Sequence, residues 1–169
     1  MQIRIFFILL LAVPVFSACT KQPRPDGFPP LHPCAITITQ DGKPLEGALV
    51  RLIPDGHKLL WTVAGTTDKN GVVKVITHPE YAGAPEGTYK VCVSKTEITP
   101  SQFPPPPDTA SYEEMQAWGA LTVNEKRPKY NLVKPEYDNV AKTPHSITIN
   151  KGKNNATFDV GEAIKEEMK

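Results

Sequence analysis

Short segments in which apolar and polar residues alternate recur along this chain, and turns rich in Gly, Pro, Asp or Asn interrupt them. An alternation of period two places successive side chains on opposite faces of a strand, so that one face can be buried. We predict seven strands, A to G, at residues 34–39, 48–53, 60–64, 72–76, 87–93, 146–149 and 156–160. Seven short strands with closely spaced turns favour an all-β fold, a seven-stranded antiparallel β-sandwich, over a barrel or an α/β sheet.

Turn signals predict how these strands connect. Residues 68–71 supply Asx side chains and a glycine that tolerates positive φ, so strands C and D should form a hairpin. The turn-rich segment 151–155 should likewise join strands F and G as a terminal hairpin. In strand E, Tyr89, Val91 and Val93 alternate onto one face, which predicts a central position in its sheet.

A proline-rich insertion, residues 100–140, separates strands E and F and lacks the alternation. Its segment 104–107 consists of four prolines, whose fixed φ and missing N–H donors exclude regular sheet. Thr109 or Ser111 should cap a short helix that stops at Gly119. The insertion therefore adds one helix to an otherwise all-β domain.

The insertion is also rich in aromatic residues, which a pure linker lacks. A connection this long is uncommon in a compact domain unless it is functional or disordered. Its candidate binding aromatics are Tyr112, Trp118, Tyr130 and Tyr137. Two interpretations stay open: the rings pack back on the sandwich as a lid that covers a sheet edge, or they stand exposed as a binding platform.

The N-terminal residues carry the pattern of an export signal. Arg4 precedes an apolar run at 5–13 that is about half the ~20 residues a membrane-spanning helix needs. Small residues then lead into Cys19, which resembles the lipobox of bacterial lipoproteins. That resemblance implies cleavage before Cys19, diacylglycerol on its sulfur and an acyl chain such as palmitate on its amine. The alternative is an ordinary secretory signal with an incidental cysteine.

These signals divide the chain into a signal peptide, a stalk, one domain and a tail. The predicted bounds are 1–18 for the signal peptide, 19–33 for a lipidated proline-rich stalk, 34–160 for the sandwich with its insertion, and 161–169 for a polar tail. The chain has 19 Lys and Arg against 18 Asp and Glu, interspersed without a basic face, so nucleic acid is excluded as a partner. The expected partners are the membrane, through the lipid, and an unidentified envelope protein or glycan.

A family resemblance rests on three stretches of sequence: ITQDGKPLEGALVRLIPDG, GTTDKNGVVKVIT and APEGTYKVCVSK. In this order they resemble the carboxypeptidase-regulatory-like domain, a transthyretin-like or prealbumin-like sandwich related in architecture to Ig-like folds. In bacteria the chain resembles small lipoproteins with a proline-rich insertion after the GTYKV strand. The resemblance implies a companion or surface-displayed interaction domain without a cofactor, although a fold alone supplies no activity.

Motifs that would indicate an enzyme are missing from the sequence. It contains no paired-histidine zinc motif, Cys-x-x-Cys spacing, Gly-x-Ser-x-Gly elbow or phosphate-binding glycine loop. Transthyretin-like enzymes that hydrolyse 5-hydroxyisourate end in Tyr-Arg-Gly-Ser, whereas this chain ends in Glu-Glu-Met-Lys. We expect no catalytic residues, no metal and no cofactor. The predicted function is binding or scaffolding in the cell envelope; the alternatives are a carbohydrate-binding module that uses the loop aromatics and, third, a transthyretin-like hydrolase.

Cys34 and Cys92 are the cysteines of the predicted domain, and an exported location permits a disulfide between them. Strand parity places Cys34 on the face of Ile36, whereas Cys92 lies opposite Val91 and Val93. Whether the two cysteines form a disulfide therefore stays open. Cys34 could turn toward Cys92 only if the start of its strand, next to a proline, departs from regular strand geometry.

Overall fold

The computed structural model describes residues 27–56, 61–79 and 81–168. Within these residues the chain forms thirteen strands, one α-helix and one 3-10 helix. The strands are β1 (Cys34–Gln40), β2 (Lys43–Pro44), β3 (Leu49–Pro54), β4 (Val63–Thr66), β5 (Val72–Lys74), β6 (Ile76–His78), β7 (Tyr81–Ala82), β8 (Gly87–Ser94), β9 (Thr96–Ile98), β10 (Lys129–Asn131), β11 (Ser146–Ile149), β12 (Asn154–Asp159) and β13 (Glu166–Glu167). The helices are α1 (Tyr112–Thr122) and the 3-10 helix Pro135–Asp138.

Two sheets face each other as a β-sandwich, which confirms the predicted fold class. The larger has six strands in the order β11-β8-β3-β4-β6-β7, all antiparallel. The smaller is built around β1, with β12 on one side and β2 and β5 on the other. The β1–β12 pair is parallel, so the sandwich departs from a purely antiparallel one. A third, small sheet of β9, β10 and β13 belongs to the insertion and the C-terminal tail.

The core lies between the two main sheets and consists of the alternating residues that the sequence pattern predicts. Ile36 and Ile38 enter it from β1, while Tyr89, Val91 and Val93 enter it from β8, all fully buried. Burying each such side chain contributes about 1.5–3 kcal/mol. The buried Tyr89 hydroxyl donates to the Pro85 carbonyl at 2.9 Å, so this polar atom does not oppose burial. Strand E of the prediction is central in its sheet, as expected.

The predicted F–G hairpin is wrong. β11 pairs with β8 in the large sheet, whereas β12 pairs with β1 in the small one. The intervening turn therefore crosses from one sheet to the other, and Asn154 holds it by accepting from the Asn150 N–H at 2.9 Å and donating to the Asn150 carbonyl at 2.9 Å. Both strands bury one face in the same core, and alternation alone does not specify which sheet each strand joins.

The predicted C–D hairpin is right in its turn chemistry but only partly right in its strand pairing. Asp68 accepts from the Asn70 and Val72 N–H groups at 2.8 and 2.9 Å, and Gly71 has a φ of 72°. Strand D, however, divides at the buried Val75 into β5, which pairs with β1, and β6, which pairs with β4. The chain therefore joins the small sheet through β5 and then returns to the large sheet, where β6 folds back onto β4.

The insertion helix begins where one of the two predicted caps places it. Ser111 accepts from the Glu114 N–H at 3.2 Å, and Glu114 accepts from the Ser111 N–H at 2.7 Å, which is a complete capping box. These hydrogen bonds hold the pKa of Glu114 below its usual value. Gly119 does not stop the helix, which continues to Thr122. A glycine weakens a helix interior by about 1 kcal/mol and ends the helix only where the backbone turns left-handed.

The domain is longer at both ends than predicted. Residues 28–33 lie against the sandwich instead of extending the stalk: the His32 N–H donates to the Ala84 carbonyl at 2.8 Å, and the Ala84 N–H donates back at 3.0 Å. The C-terminal tail forms β13, and the Met168 N–H donates to the Lys129 carbonyl at 2.8 Å. Of the predicted stalk, residues 19–26 lie outside the described residues, as do the predicted signal peptide 1–18 and the predicted lipid-attachment residue Cys19.

Candidate functional site

One row of side chains crosses the outer face of the six-stranded sheet. Strand pairing sets Cys92 of β8 opposite Arg51 of β3, Arg51 opposite Ala64 of β4, and Ala64 opposite Ile76 of β6. Directly opposed residues in antiparallel strands share a face, so these four side chains point away from the core. Exposure changes along the row, from a fully buried Cys92 to an Ile76 that is 39 % exposed. The face therefore has two halves.

The insertion covers the half formed by β8 and the neighbouring part of β3, which we call the covered half. The 3-10 helix packs on β8, and Arg51 Nη2 lies 2.6 Å from Asp138 Oδ1. The Thr143 hydroxyl donates to the Val91 carbonyl at 2.7 Å, and the Tyr137 ring stacks on His145 with centroids 5.4 Å apart. The second part of the insertion is thus docked, as the lid interpretation predicts.

The other half is not covered by the insertion. We call the apolar surface formed by Leu49, Ala64 and Ile76 the open half. Leu49 stands two residues from Arg51 on the same face of β3 and is 42 % exposed. Large apolar side chains left on a sheet face form a patch of the kind that marks interaction surfaces in soluble proteins.

An aromatic cluster borders the open half. Its four rings belong to Phe28, Trp61, His78 and Tyr81, and each is partly exposed. The Phe28 ring lies 4.9 Å from those of Trp61 and Tyr81, and the His78 ring lies 5.3 Å from Tyr81. Trp61 meets His78 edge-on at 6.4 Å. Such tilted and edge-on contacts suit the ring quadrupoles and hold the cluster as a unit.

A pocket of about 400 Å³ joins the open half to the cluster. Its lining consists of Leu49, Trp61, Thr62, Ala64, Gly65, Ile76, Thr77, His78 and Pro79. None of these residues is Asp, Glu, Lys or Arg. A surface of this composition suits an apolar or flat ligand.

The aromatic residues that the sequence singled out do not form a platform. They lie on α1, β10 and the 3-10 helix, because the insertion spreads them over three elements. Tyr112 is 77 % exposed, and Trp118 is partly buried beside Thr122 and Glu125 in a separate pocket of about 310 Å³. Lys165 Nζ lies 4.8 Å from the Tyr130 ring centroid, and Tyr137 packs against the core. These four residues therefore do not gather into one shared platform, and a binding role for any single ring among them stays a prediction.

Sequence reasoning missed the aromatic cluster because it assigned Phe28 to the stalk and Trp61 to a strand interior. Tyr81 and His78 follow the predicted strand D in a turn that the alternation does not cover. One signal in the sequence could have indicated the cluster. Three of its aromatic residues lie beside turns and outside the alternating pattern, and large rings in such positions usually pack against a distant part of the chain.

The disulfide that the sequence left open between Cys34 and Cys92 is not formed, and both thiols are free and buried. Cys34 belongs to the core, whereas Cys92 lies on the outer face beside Arg51, so the parity argument against pairing decides the outcome. Burial raises the pKa of Cys34 to about 11. Burial also raises the pKa of Cys92, with the positive charge of Arg51 opposing the shift. Thiols that stay protonated at neutral pH are poor nucleophiles and metal ligands.

Two further features of the described residues bear on function. No group of three His, Cys, Asp or Glu side chains in residues 27–56, 61–79 and 81–168 is arranged to hold a metal ion. Within the same ranges no helix has the length and hydropathy needed to cross a membrane.

The strand pairing defines a β-sandwich, and among residues 27–56, 61–79 and 81–168 no segment lies over the open half. No family model and no curated protein gives a significant match to the chain. Solved structures similar to it include the major pilin subunit of Bacillus cereus, with 16% identity, 82% of this chain and 30% of the pilin covered, and a TM-score of 0.40. A 9R-lipoxygenase from Cyanothece gives 14% identity over 83% of this chain and 18% of the enzyme, with a TM-score of 0.38.

The 5-hydroxyisourate hydrolase of Klebsiella pneumoniae is similar over a larger share of its length. It gives 16% identity over 84% of this chain and 97% of the hydrolase, with a TM-score of 0.31. The chain spans less than a third of the pilin and less than a fifth of the lipoxygenase. The fold assignment rests on the strand pairing described above.

Proposed function

We propose that this chain is a lipid-anchored, non-enzymatic domain of the bacterial cell envelope that acts by binding through its open half. In this proposal it is a lipoprotein whose sandwich resembles the carboxypeptidase-regulatory-like domain. The observation that carries the binding role is the uncovered apolar surface of Leu49, Ala64 and Ile76 beside four gathered rings. Exposure of an apolar patch to water is unfavourable in free energy, and a partner that covers the patch would remove this cost.

The chemistry of the described residues supports binding over catalysis. The described residues that line the pocket are mainly apolar or aromatic, and the His78 ring packs against Trp61 and Tyr81. A lining of this composition suits contact with an apolar or flat ligand better than acid–base chemistry.

The anchor is tested by changing the residue that would carry the lipid. In cells fed an alkyne fatty acid, wild-type protein should incorporate the probe and sediment with the membrane fraction. Cys19→Ser should lose the probe and move to the soluble fraction. Cys34→Ser is the matched control, because Cys34 is buried in the core and should not affect labelling. Unchanged labelling of Cys19→Ser would contradict the proposed anchor.

A carbohydrate-binding module is the second candidate, now on different residues. The clustered rings of Phe28, Trp61 and Tyr81 favour it, because sugar faces stack on aromatic surfaces. Titration of a Trp118→Phe variant with envelope oligosaccharides tests it, since Trp61 is then the one tryptophan of a chain that has two. Saturable change in the emission of Trp61 would support this candidate, and a flat titration would count against it.

A further inference from the structure

We infer that the open half and the aromatic cluster together form a membrane-docking surface, which lays the domain on the bilayer that holds its acyl chains. The inference rests on the proposed lipid anchor and names the partner of the binding surface: the interfacial region of a phospholipid membrane. Two observations carry it, the position at which the chain reaches the cluster and the chemistry of the surface.

The first observation is the short distance along the chain from the anchor to the cluster. The described chain begins at Gly27, and Phe28 already packs against Trp61 and Tyr81. Cys19 precedes Phe28 by nine residues, which span at most about 32 Å when fully extended. Acyl chains on Cys19 would therefore keep the aromatic cluster within one small-domain diameter of the bilayer surface.

A tether of this length changes which partner meets the surface first. Joining two binding elements makes the second encounter intramolecular, so even a weak affinity is multiplied by a high effective concentration. For an anchored chain, the bilayer is always within reach of the open half, whereas a soluble glycan or a second copy must arrive by diffusion. The bilayer is therefore the partner that the surface of an anchored chain meets first.

The second observation is the chemistry of the surface. Tryptophan and tyrosine rings favour the membrane–water interface, where an apolar body and a polar tip are both accommodated. Leu49 and Ile76 supply exposed aliphatic area beside them, and none of the described residues that line the pocket is an Asp, Glu, Lys or Arg whose desolvation would oppose insertion.

A second exposed apolar region of the described chain, on helix α1, does not meet these conditions. Helix α1 exposes Met115 by 51 % and Leu121 by 58 %, but its first turn carries Glu113 and Glu114. Carboxylates beside apolar side chains disfavour insertion into a bilayer that carries anionic lipid. Helix α1 therefore provides a matched control surface on the same protein.

The experiment uses the lipid-free chain, so that any membrane binding comes from the surface and not from acyl groups. A protein of residues 19–169 with Cys19→Ser and Trp118→Phe, which lacks the apolar predicted signal 1–18, is mixed with vesicles of phosphatidylethanolamine and phosphatidylglycerol, with and without brominated acyl chains. We expect the emission of Trp61 to shift to the blue and to be quenched by the brominated lipid. Adding Leu49→Lys with Ile76→Lys should lower vesicle partitioning about tenfold, because two apolar contacts become charged.

The control adds Met115→Lys with Leu121→Lys to the same background, which introduces the same charge on α1. This pair should partition as well as the parent protein, and circular dichroism should show that all variants fold. Equal loss in both pairs would overturn the inference, because charge alone would then explain it. An unshifted Trp61 spectrum with vesicles would overturn it, and so would a shift produced by oligosaccharide or by dimerisation instead of lipid. Failure of the anchor is seen separately, as lost fatty-acid labelling at Cys19.

Discussion

The two halves of one sheet face differ in what lies over them, although the same strands build both. β3 contributes Arg51 to the covered half and Leu49 to the open half, two residues apart. Arg51 meets Asp138 at 2.6 Å under the docked part of the insertion, whereas Leu49 remains 42 % exposed. The difference shows that the insertion packs over one half of the face and not over the other, and the proposed partner would bind the second half.

The insertion itself shows the same division. Its second part packs on β8 and places Val133 in the core, whereas α1 buries none of its residues. Aromatic content does not explain the division, because both parts carry rings. Position along the chain explains the division, because the second part must return to β11 across the outer face of the sheet.

The largest expected effect comes from placing the same charge on each half. Cys92→Lys should lower the free energy of unfolding by at least about 3 kcal/mol, because the ammonium would be buried beside Arg51. Leu49→Lys should lower it by less than about 1 kcal/mol, because its side chain reaches solvent. Urea unfolding followed by circular dichroism measures both. A similar decrease in the free energy of unfolding for the two variants would contradict the difference between the covered half and the open half.

A smaller effect is expected from the ion pair that closes the covered half. A double-mutant cycle of Arg51→Ala and Asp138→Ala should give a coupling of about 0.5–1 kcal/mol, since both side chains are partly exposed and water screens the pair. Asp138→Ala should also speed alkylation of the neighbouring Cys92, identified by mass spectrometry. A coupling of zero together with unchanged alkylation would show that the insertion is held by other contacts.

The smallest global effect is expected from the undocked helix. Ser111→Ala removes the capping box and should loosen α1 by about 1 kcal/mol locally. Because α1 buries no residue, the free energy of unfolding of the whole domain should change by less than about 0.5 kcal/mol. Hydrogen exchange should rise in residues 112–122 and stay unchanged in β8. Increased exchange in β8 would show that α1 supports the sandwich.

The sequence was sufficient to place most strands but not to pair them. Alternation in β1 and β8 correctly predicted which residues enter the core, because one face of each strand is buried. It could not show that residues 154–159 join β1 in parallel or that strand D divides at Val75, since period-two alternation is the same in either sheet. Sheet assignment depends on long-range packing that a local pattern does not contain.

The candidate site was the least predictable part of the molecule. The Asx turn at Asp68 and the cap at Ser111 were found because each acts within a few residues. The aromatic cluster joins Phe28 to rings that lie 33 and 53 residues further along the chain, at Trp61 and Tyr81. Only the folded sheets bring such distant segments together, so residue type and local spacing could not identify the surface.

The most direct test of the account is the accessibility of the open half on and off a membrane. Leu49→Cys would be introduced into the lipidated chain inserted in the outer leaflet of vesicles, and into the lipid-free Cys19→Ser chain in solution. Cys34 and Cys92 should stay unreactive, because both are buried. Val123→Cys, on a residue that is 74 % exposed at the end of α1, is the control.

We predict that a water-soluble maleimide labels Leu49→Cys about tenfold more slowly on the vesicles than in solution, while Val123→Cys reacts equally in both. Equal labelling of Leu49→Cys in the two states would contradict the account, because the open half would then face water in the anchored protein.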